Sequence, residues 1–213
     1  MHCIPLLASA SLATAGLLSS TTKRDTWGGR VSLGPTKSTT INAVSTLIPG
    51  TAPSTQNGVD SVLSLWPGMS NGTGDLIQTT LESWTDNSSC GATTSQCAVA
   101  GSDQVRIEYN VESNGETWKQ TVINAQTGDL LSTYSLVSGP YMTGHGTGTE
   151  CNDDCTGTVA AQEYRNTKIT LASADTAFGD TIASATGASC KGLGSSEGGK
   201  VWTIQRINIP AMS

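Results

Sequence analysis

The stretch Val105-Arg106-Ile107-Glu108-Tyr109-Asn110-Val111 alternates apolar and polar side chains without a fault. Successive side chains of a β-strand point to opposite faces, so this pattern predicts a strand with one face in a core. Ser113-Asn114-Gly115 follows it and is a hairpin-turn signal. A second run over 117–123, a turn at Gln126-Thr127-Gly128-Asp129 and a third run over 130–136 complete a three-strand meander. Outward from this meander, short runs bounded by Gly, Asn, Asp and Pro predict further strands over 29–33, 39–47, 59–66, 158–164, 168–172 and 200–209. Strands at this spacing, with no long helical period, predict an all-β chain: an antiparallel β-sandwich or jelly roll. Gly144, Gly146 and Gly148 read as a loop, and His145 among them as an inert loop residue. Gly144-His145-Gly146 lacks the strand-to-helix switch and the Lys of a phosphate loop.

Composition agrees. The chain has 213 residues, 13% of them charged and 5% aromatic, with 24 Gly. That excludes a coiled coil, suits one domain, and is long enough to bury a core without a cofactor. Eleven Lys and Arg against 17 Asp and Glu give a net charge of −6. No basic stripe stands out, which argues against a nucleic-acid partner.

The first 20 residues carry the run Ile4-Pro5-Leu6-Leu7-Ala8 and small residues at Ala8-Ser9-Ala10 and Ala13-Thr14-Ala15. This is a signal-peptide pattern, too short to span a membrane. Lys23-Arg24 ends a short pro-segment over 21–24, leaving a single domain over 25–213 whose first residue is Asp25. Removal of both cations leaves nine against 17 acids, a net charge of −8. A secreted, extracellular, monomeric product is expected, with no membrane partner. Sequons at Asn71 and Asn87 add candidate glycosylation sites.

Five cysteines follow the leader. Short spacings suggest Cys90–Cys97 and Cys151–Cys155, with Cys190 left over, although sequence alone leaves the connectivity open. A zinc site needs more ligands than Cys151, Cys155 and His145 provide, and calcium at Cys151-Asn152-Asp153-Asp154-Cys155 is outweighed by a disulfide-closed acidic loop. No metal and no cofactor are expected.

The segment Leu76-Ile77-Gln78-Thr79-Thr80-Leu81-Glu82-Ser83-Trp84 reads two ways. As a helix, Asp75 and Gln78 form a capping box. As a strand, Leu76, Gln78, Thr80, Glu82 and Trp84 share one face, which aims an amide and a carboxylate to the same side.

With these residues in place, the order of motifs resembles the eqolisins, the secreted fungal glutamic peptidases. Thr26-Trp27-Gly28-Gly29, the strand ending at Ile48-Pro49, Ser64-Leu65-Trp66-Pro67-Gly68, Leu76-Ile77-Gln78-Thr79 and the hairpin Asn124-Ala125-Gln126-Thr127-Gly128 are similar, in order, to that family's motifs. The resemblance implies a concanavalin-like double β-sandwich, a substrate groove on its concave face, and Gln78 as catalytic glutamine. Two departures stand out. The interval 86–101 is short and lacks aromatic residues. The counterpart of the family's Ala-Glu-Trp motif is Ala160-Ala161-Gln162-Glu163-Tyr164, which places Ala161 or Gln162 at the glutamate and brings Glu163 in only by a bulge or slip.

Peptide hydrolysis of this kind needs a carboxylate to deprotonate a water and a donor aimed at the developing oxyanion. Gln78 is the expected donor, and Glu163, Glu82 and, after them, Glu150 are the candidate bases, with Trp66 and Gln162 at the groove. The expected function is an acid-acting endopeptidase, or a catalytically weakened relative, on protein or peptide substrate. A non-catalytic binder of carbohydrate or cell-wall glycan is the alternative, because the fold hosts both. A glycosidase built on Glu82 and Glu163 is a third reading.

Overall fold

The computed structural model describes residues 6–7, 25–51, 62–84, 99–139, 141–152 and 159–212. Within these residues the chain forms fourteen strands, two short 3-10 turns and no α-helix. In chain order the strands are β1 (Leu6–Leu7), β2 (Thr26–Leu33), β3 (Thr40–Ile48), β4 (Val62–Ser70), β5 (Leu76–Gln78), β6 (Thr80–Trp84) and β7 (Val105–Val111). They continue as β8 (Thr117–Asn124), β9 (Leu130–Val137), β10 (Gly144–Asn152), β11 (Gln162–Leu171), β12 (Ala183–Ala185), β13 (Ser189–Ser196) and β14 (Val201–Ile209).

They make two seven-stranded sheets, antiparallel throughout. Sheet A runs β1-β6-β4-β10-β2-β12, with β5 also pairing β4, and sheet B runs β13-β14-β11-β3-β7-β8-β9. This is the expected β-sandwich. The meander is β7, β8 and β9 as predicted, with Asn110 opposite Lys119 and Lys119 opposite Ser135. The ambiguous segment 76–84 is strand, split only at Thr79.

The reading of 144–148 as a loop is corrected. These residues belong to β10, a central strand of sheet A paired on both sides. Glycine carries no hydropathy, so half of the strand's alternation is silent. The other half is explicit: His145, Thr147, Thr149 and Cys151 all face inward and are buried. Gly148 is required where it stands, because a Cβ there would lie 2.9 Å from the Trp66 ring. The predicted strands over 158–164 and 168–172 are in fact one strand, β11, kinked at Asn166 with φ 52°.

The inner faces supply the core. Val31, Leu33, Leu63, Leu65, Met69, Ile77 and Leu81 come from sheet A. Ala43, Leu47, Ile107, Tyr109, Trp118, Val122, Tyr164, Ile169, Ile204 and Ile207 come from sheet B. Fully burying one such apolar side chain is worth about 1.5–3 kcal/mol. At one end Phe178 packs edge-on against Trp202, centroids 6.0 Å apart. Gly179 makes that approach possible, since a Cβ on it would fall 2.2 Å from the Trp202 ring.

Polar ties cross the core. The Tyr109 hydroxyl of sheet B donates to the Pro67 carbonyl at 2.7 Å and accepts from the Thr79 N–H at 2.8 Å. Thr79 Oγ1 donates to Gln120 Oε1 at 2.7 Å. Outside the sheets, the buried Asp175 carboxylate accepts from Thr36 Oγ1 and the Lys37 N–H, both at 2.8 Å, and from the Ala177 N–H at 3.1 Å. Replacing Tyr109 by Phe leaves the Thr79 N–H and the Pro67 carbonyl with their longer mutual hydrogen bond of 3.4 Å and without the hydroxyl between them. That should destabilise the fold by roughly 1–3 kcal/mol, the cost of about one buried group left under-satisfied. The effect should appear as a lower urea midpoint with an unchanged m-value.

Candidate functional site

The outer face of sheet A, turned away from the core, collects the side chains of interest because β4, β5, β6 and β10 each project alternate residues there. From β5 and β6 come Gln78, Thr80 and Glu82, and from β4 come Ser64, Trp66, Gly68 and Ser70. From β10 come Gly144, Gly146, Gly148 and Glu150.

Register arranges them in rows across the sheet. In one row Gln78 stands opposite Gly68, and Gly68 opposite Gly146. Two rows away Glu82 stands opposite Ser64, and Ser64 opposite Glu150. Four residues of strand separate Gln78 from Glu82, about 13 Å along the sheet. Trp66 stands between the rows, its ring lying over Gly148.

Above the first row is a cavity of about 640 Å³, bounded by Trp66, Gly68, Ser70, Leu76, Gly144 and Gly146. Gly68, Gly144 and Gly146 line it together with Leu33, Met69 and Leu76, and Gln78, opposite Gly68, lies outside this lining. A Cβ placed at Gly146 would meet nothing nearer than 3.8 Å, so this position has room for a side chain. Gln78 Oε1 and Trp66 Nε1 are buried without a hydrogen-bond partner among the described residues.

The second row pairs carboxylates. Glu82 is only 6% exposed and accepts from Thr80 Oγ1 at 2.7 Å. Glu150 has its pKa raised above the ordinary carboxylate value, first by loss of water, then by the negative charges of Asp25 and Glu82. The Trp66 indole N–H lies close enough to oppose that shift, without hydrogen-bond geometry. Like charges facing one site push two carboxyls apart in pKa. Glu150 therefore holds its proton to higher pH than a free glutamate. Trp27, 48% exposed, meets Trp66 edge-on at a centroid distance of 6.3 Å and lies opposite Glu150.

Gln78, Glu82 and Trp66 thus share one face. Gln162 and Glu163 do not join them, and both placements are corrected. They lie on β11 of sheet B. Gln162 points into the core, where its Nε2 donates to Thr149 Oγ1 at 2.7 Å. Glu163 points out of the opposite side of the sandwich and pairs with Arg165 and Arg206. No bulge brings a residue from one sheet to the far face of the other, so Glu163 is neither a base for Gln78 nor a partner for Glu82. The string at 160–164 leads into β11 of sheet B, and so short a string does not encode which sheet receives it. The signal that could have located β10 instead was the inward series His145, Thr147, Thr149, Cys151.

Cys151 is disulfide-bonded, and Cys190 is free. Cys90, Cys97, Cys155 and Asn87 lie outside the described residues. Asn71 sits in a surface turn, where its Oδ1 accepts from the Thr73 and Asp75 N–H groups and its Nδ2 donates to Asp75 Oδ2 at 2.7 Å. Among the described residues no three His, Cys, Asp or Glu side chains are grouped to hold a metal ion, and no helix is long and apolar enough to cross a membrane.

His145 is not a loop residue. It is 4% exposed, its Nε2 has no partner among the described residues, and burial lowers its pKa to about 4. The unfolded chain takes up a proton below about pH 6.5, whereas the folded protein resists until about pH 4. Stability is therefore complete above pH 6.5 and falls as pH drops through that window. The loss is about 3 kcal/mol at 1.36 kcal/mol per pKa unit. Urea unfolding from pH 7 to 3 should show this loss in the wild type and a flatter profile in His145→Leu.

No family profile and no curated protein matches this sequence. The fold has solved counterparts. A peptidase of the eqolisin family, SCP-B, crystallised with the tripeptide Ala-Ile-His, is 13% identical over 90% of this chain and 99% of its own, with a TM-score of 0.52. Scytalido-glutamic peptidase with a transition-state analogue inhibitor is 15% identical over the same shares, with a TM-score of 0.53.

Proposed function

We propose that this chain, with the fold of the glutamic peptidases, is a secreted, acid-acting relative of them whose catalysis is weakened. An extended peptide lies in the cleft above Gly68 and Gly146. The observation that carries the reading is the row Gln78–Gly68–Gly146: it keeps an amide donor on one side and has no side chain on the other. The tripeptide bound by one of the two structural counterparts supports a peptide as the occupant.

In this reading a peptide carbonyl rests over Gly68, and the Gln78 amide N–H donates to its oxygen as negative charge develops there. A water must lose its proton within hydrogen-bond reach, about 2.6–3.2 Å, of a base or through one further water. Glu163 is on the wrong sheet. Glu82 and Glu150 are on the right face but two rows away, about 13 Å along the sheet, beyond the reach of one bridging water. Among the described residues, therefore, no carboxylate is positioned to take the proton of a water over Gly68. Slow turnover at low pH follows.

The test is casein and peptide hydrolysis from pH 2 to 6 by the wild type, Gln78→Ala, Glu82→Gln and Gly146→Glu. Weak wild-type activity, lost in Gln78→Ala, is expected. Gly146→Glu should raise the rate by roughly 10²-fold, the lower end of a positioned base's contribution. A fast wild type that loses activity in Glu82→Gln would move the base to the carboxylate row. Folded wild type and Gly146→Glu that are both inert would end the peptidase reading.

One observation favours a second reading. Trp27 and Trp66 form an aromatic pair beside Glu150, half open to solvent, which is a platform for a sugar ring. Binding to cell-wall polysaccharide that Trp27→Ala abolishes would favour a glycan binder.

A further inference from the structure

The outer face of sheet B carries a second feature, remote from the cleft. The nine cations of residues 25–213 are spread over a chain with 17 acids, yet three of them fall in one row. Arg165 on β11 stands directly opposite Arg206 on β14, and Arg206 directly opposite Lys191 on β13. Like charges directly opposite on neighbouring strands destabilise a sheet. One carboxylate, Glu163, answers them: it pairs with Arg165 and lies 3.4 Å from Arg206 Nε. Three cations against one anion leave a local charge of +2.

The backbone is also bent here. Tyr164 and Thr167 both face the core on β11, and Ile204 and Ile207 both do so on β14, so the alternation slips on each strand. The slip lies at Asn166 and Gln205, and on β13 Gly192 stands at the same level. Asn166 and Gly192 take positive φ, 52° and 69°. Such kinks re-aim side chains. This one runs across three strands and opens a cavity of about 370 Å³, lined by Arg165, Asn166, Lys191, Gln205 and Arg206. An adjoining cavity of about 480 Å³ shares Asn166 and Gln205 and adds Lys168.

We propose that Arg165, Arg206 and Lys191 form an oxyanion site that takes the sulfate or phosphate ester group of a larger polar ligand. Two guanidinium forks suit oxyanion geometry, Lys191 adds a point charge, and the Asn166 and Gln205 amides supply neutral donors. The +2 surplus covers a phosphate monoester, which is a dianion, or a sulfate ester, which carries one charge. The cavity exceeds a lone ion, and its extension toward Lys168 leaves room for the rest of the molecule. A site at +2 in a protein of net charge −6 is selective, because the surrounding field repels polyanions that do not reach the row.

Sulfate stabilises folded proteins generically by exclusion, so the readout must be local. Backbone amide shifts of the full chain are followed by NMR against inorganic sulfate, inorganic phosphate and dextran sulfate, at ionic strength held constant with chloride. Saturable shifts confined to residues around 165, 191 and 206 are expected at millimolar ion or below. Arg206→Gln and Lys191→Gln should each weaken binding at least tenfold, and Glu163→Gln should tighten it by removing the competing carboxylate. Tighter binding of dextran sulfate than of inorganic sulfate, lost in the same variants, identifies a sulfated glycan as the source; equal binding identifies the free ion. Shifts that do not saturate, or that persist in a folded Arg206→Gln/Lys191→Gln double variant, overturn the proposal.

Discussion

One hydroxyl holds the candidate site in register with the rest of the sandwich. Tyr109 reaches from sheet B through the core and hydrogen-bonds both the Pro67 carbonyl on β4 and the Thr79 N–H between β5 and β6. Pro67 precedes Gly68 and Thr79 follows Gln78, so both strands of the amide row are gripped one residue from the site. Burial pushes the Tyr109 hydroxyl well above its ordinary pKa, so it stays a neutral donor and acceptor. The interior around it is apolar, and either backbone group left unpaired there is costly. Gln78 is thus placed by the far sheet as well as by its own strand, which is only three residues long.

The two faces of the sandwich divide the chemistry. On sheet A, glycines lie beside an amide, a tryptophan pair and two coupled carboxyls. On sheet B, cations crowd a kink. Glu163 belongs to the second set, where it offsets two arginines, and this explains why a carboxylate sits there without serving hydrolysis. The acidic working range expected from the resemblance to glutamic peptidases also conflicts with His145. A buried imidazole with a pKa of about 4 penalises the folded state in the pH range where an acid-acting enzyme works. Low operating stability, or a working range nearer neutrality, is the price of that residue.

Much of the fold was legible from the sequence because apolar and polar residues alternate visibly. The β7–β9 meander shows it, and so do the Leu and Val of β2 and β4. The shared face of Gln78, Thr80 and Glu82 followed from a period of two. What was not legible depended on residues without hydropathy or on pairing at long range. β10 hides its outward face in Gly144, Gly146 and Gly148, and β13 hides behind Ser, Gly and Lys. The Glu82–Glu150 row joins residues 68 positions apart through a register that no local pattern encodes. The assignment of Gln162 and Glu163 failed for a related reason: similarity of a short string says nothing about which sheet will receive it.

The position of β10 sets the order in which the molecule can be built. Among the described residues β2 pairs with β10 and β12 alone, so this long strand waits more than a hundred residues for such a neighbour. The β7–β9 hairpins, by contrast, close as soon as they are made. Contacts between distant parts of a chain slow folding, because the loop entropy must be met before the pairing rewards it. Sheet B therefore has a local nucleus in β7–β9, and the centre of sheet A, with the candidate cleft on it, waits for β10. During synthesis β2 and β4 leave the ribosome as apolar strands without their central partner, and the chain is most exposed to aggregation until Gly144–Asn152 arrives between them.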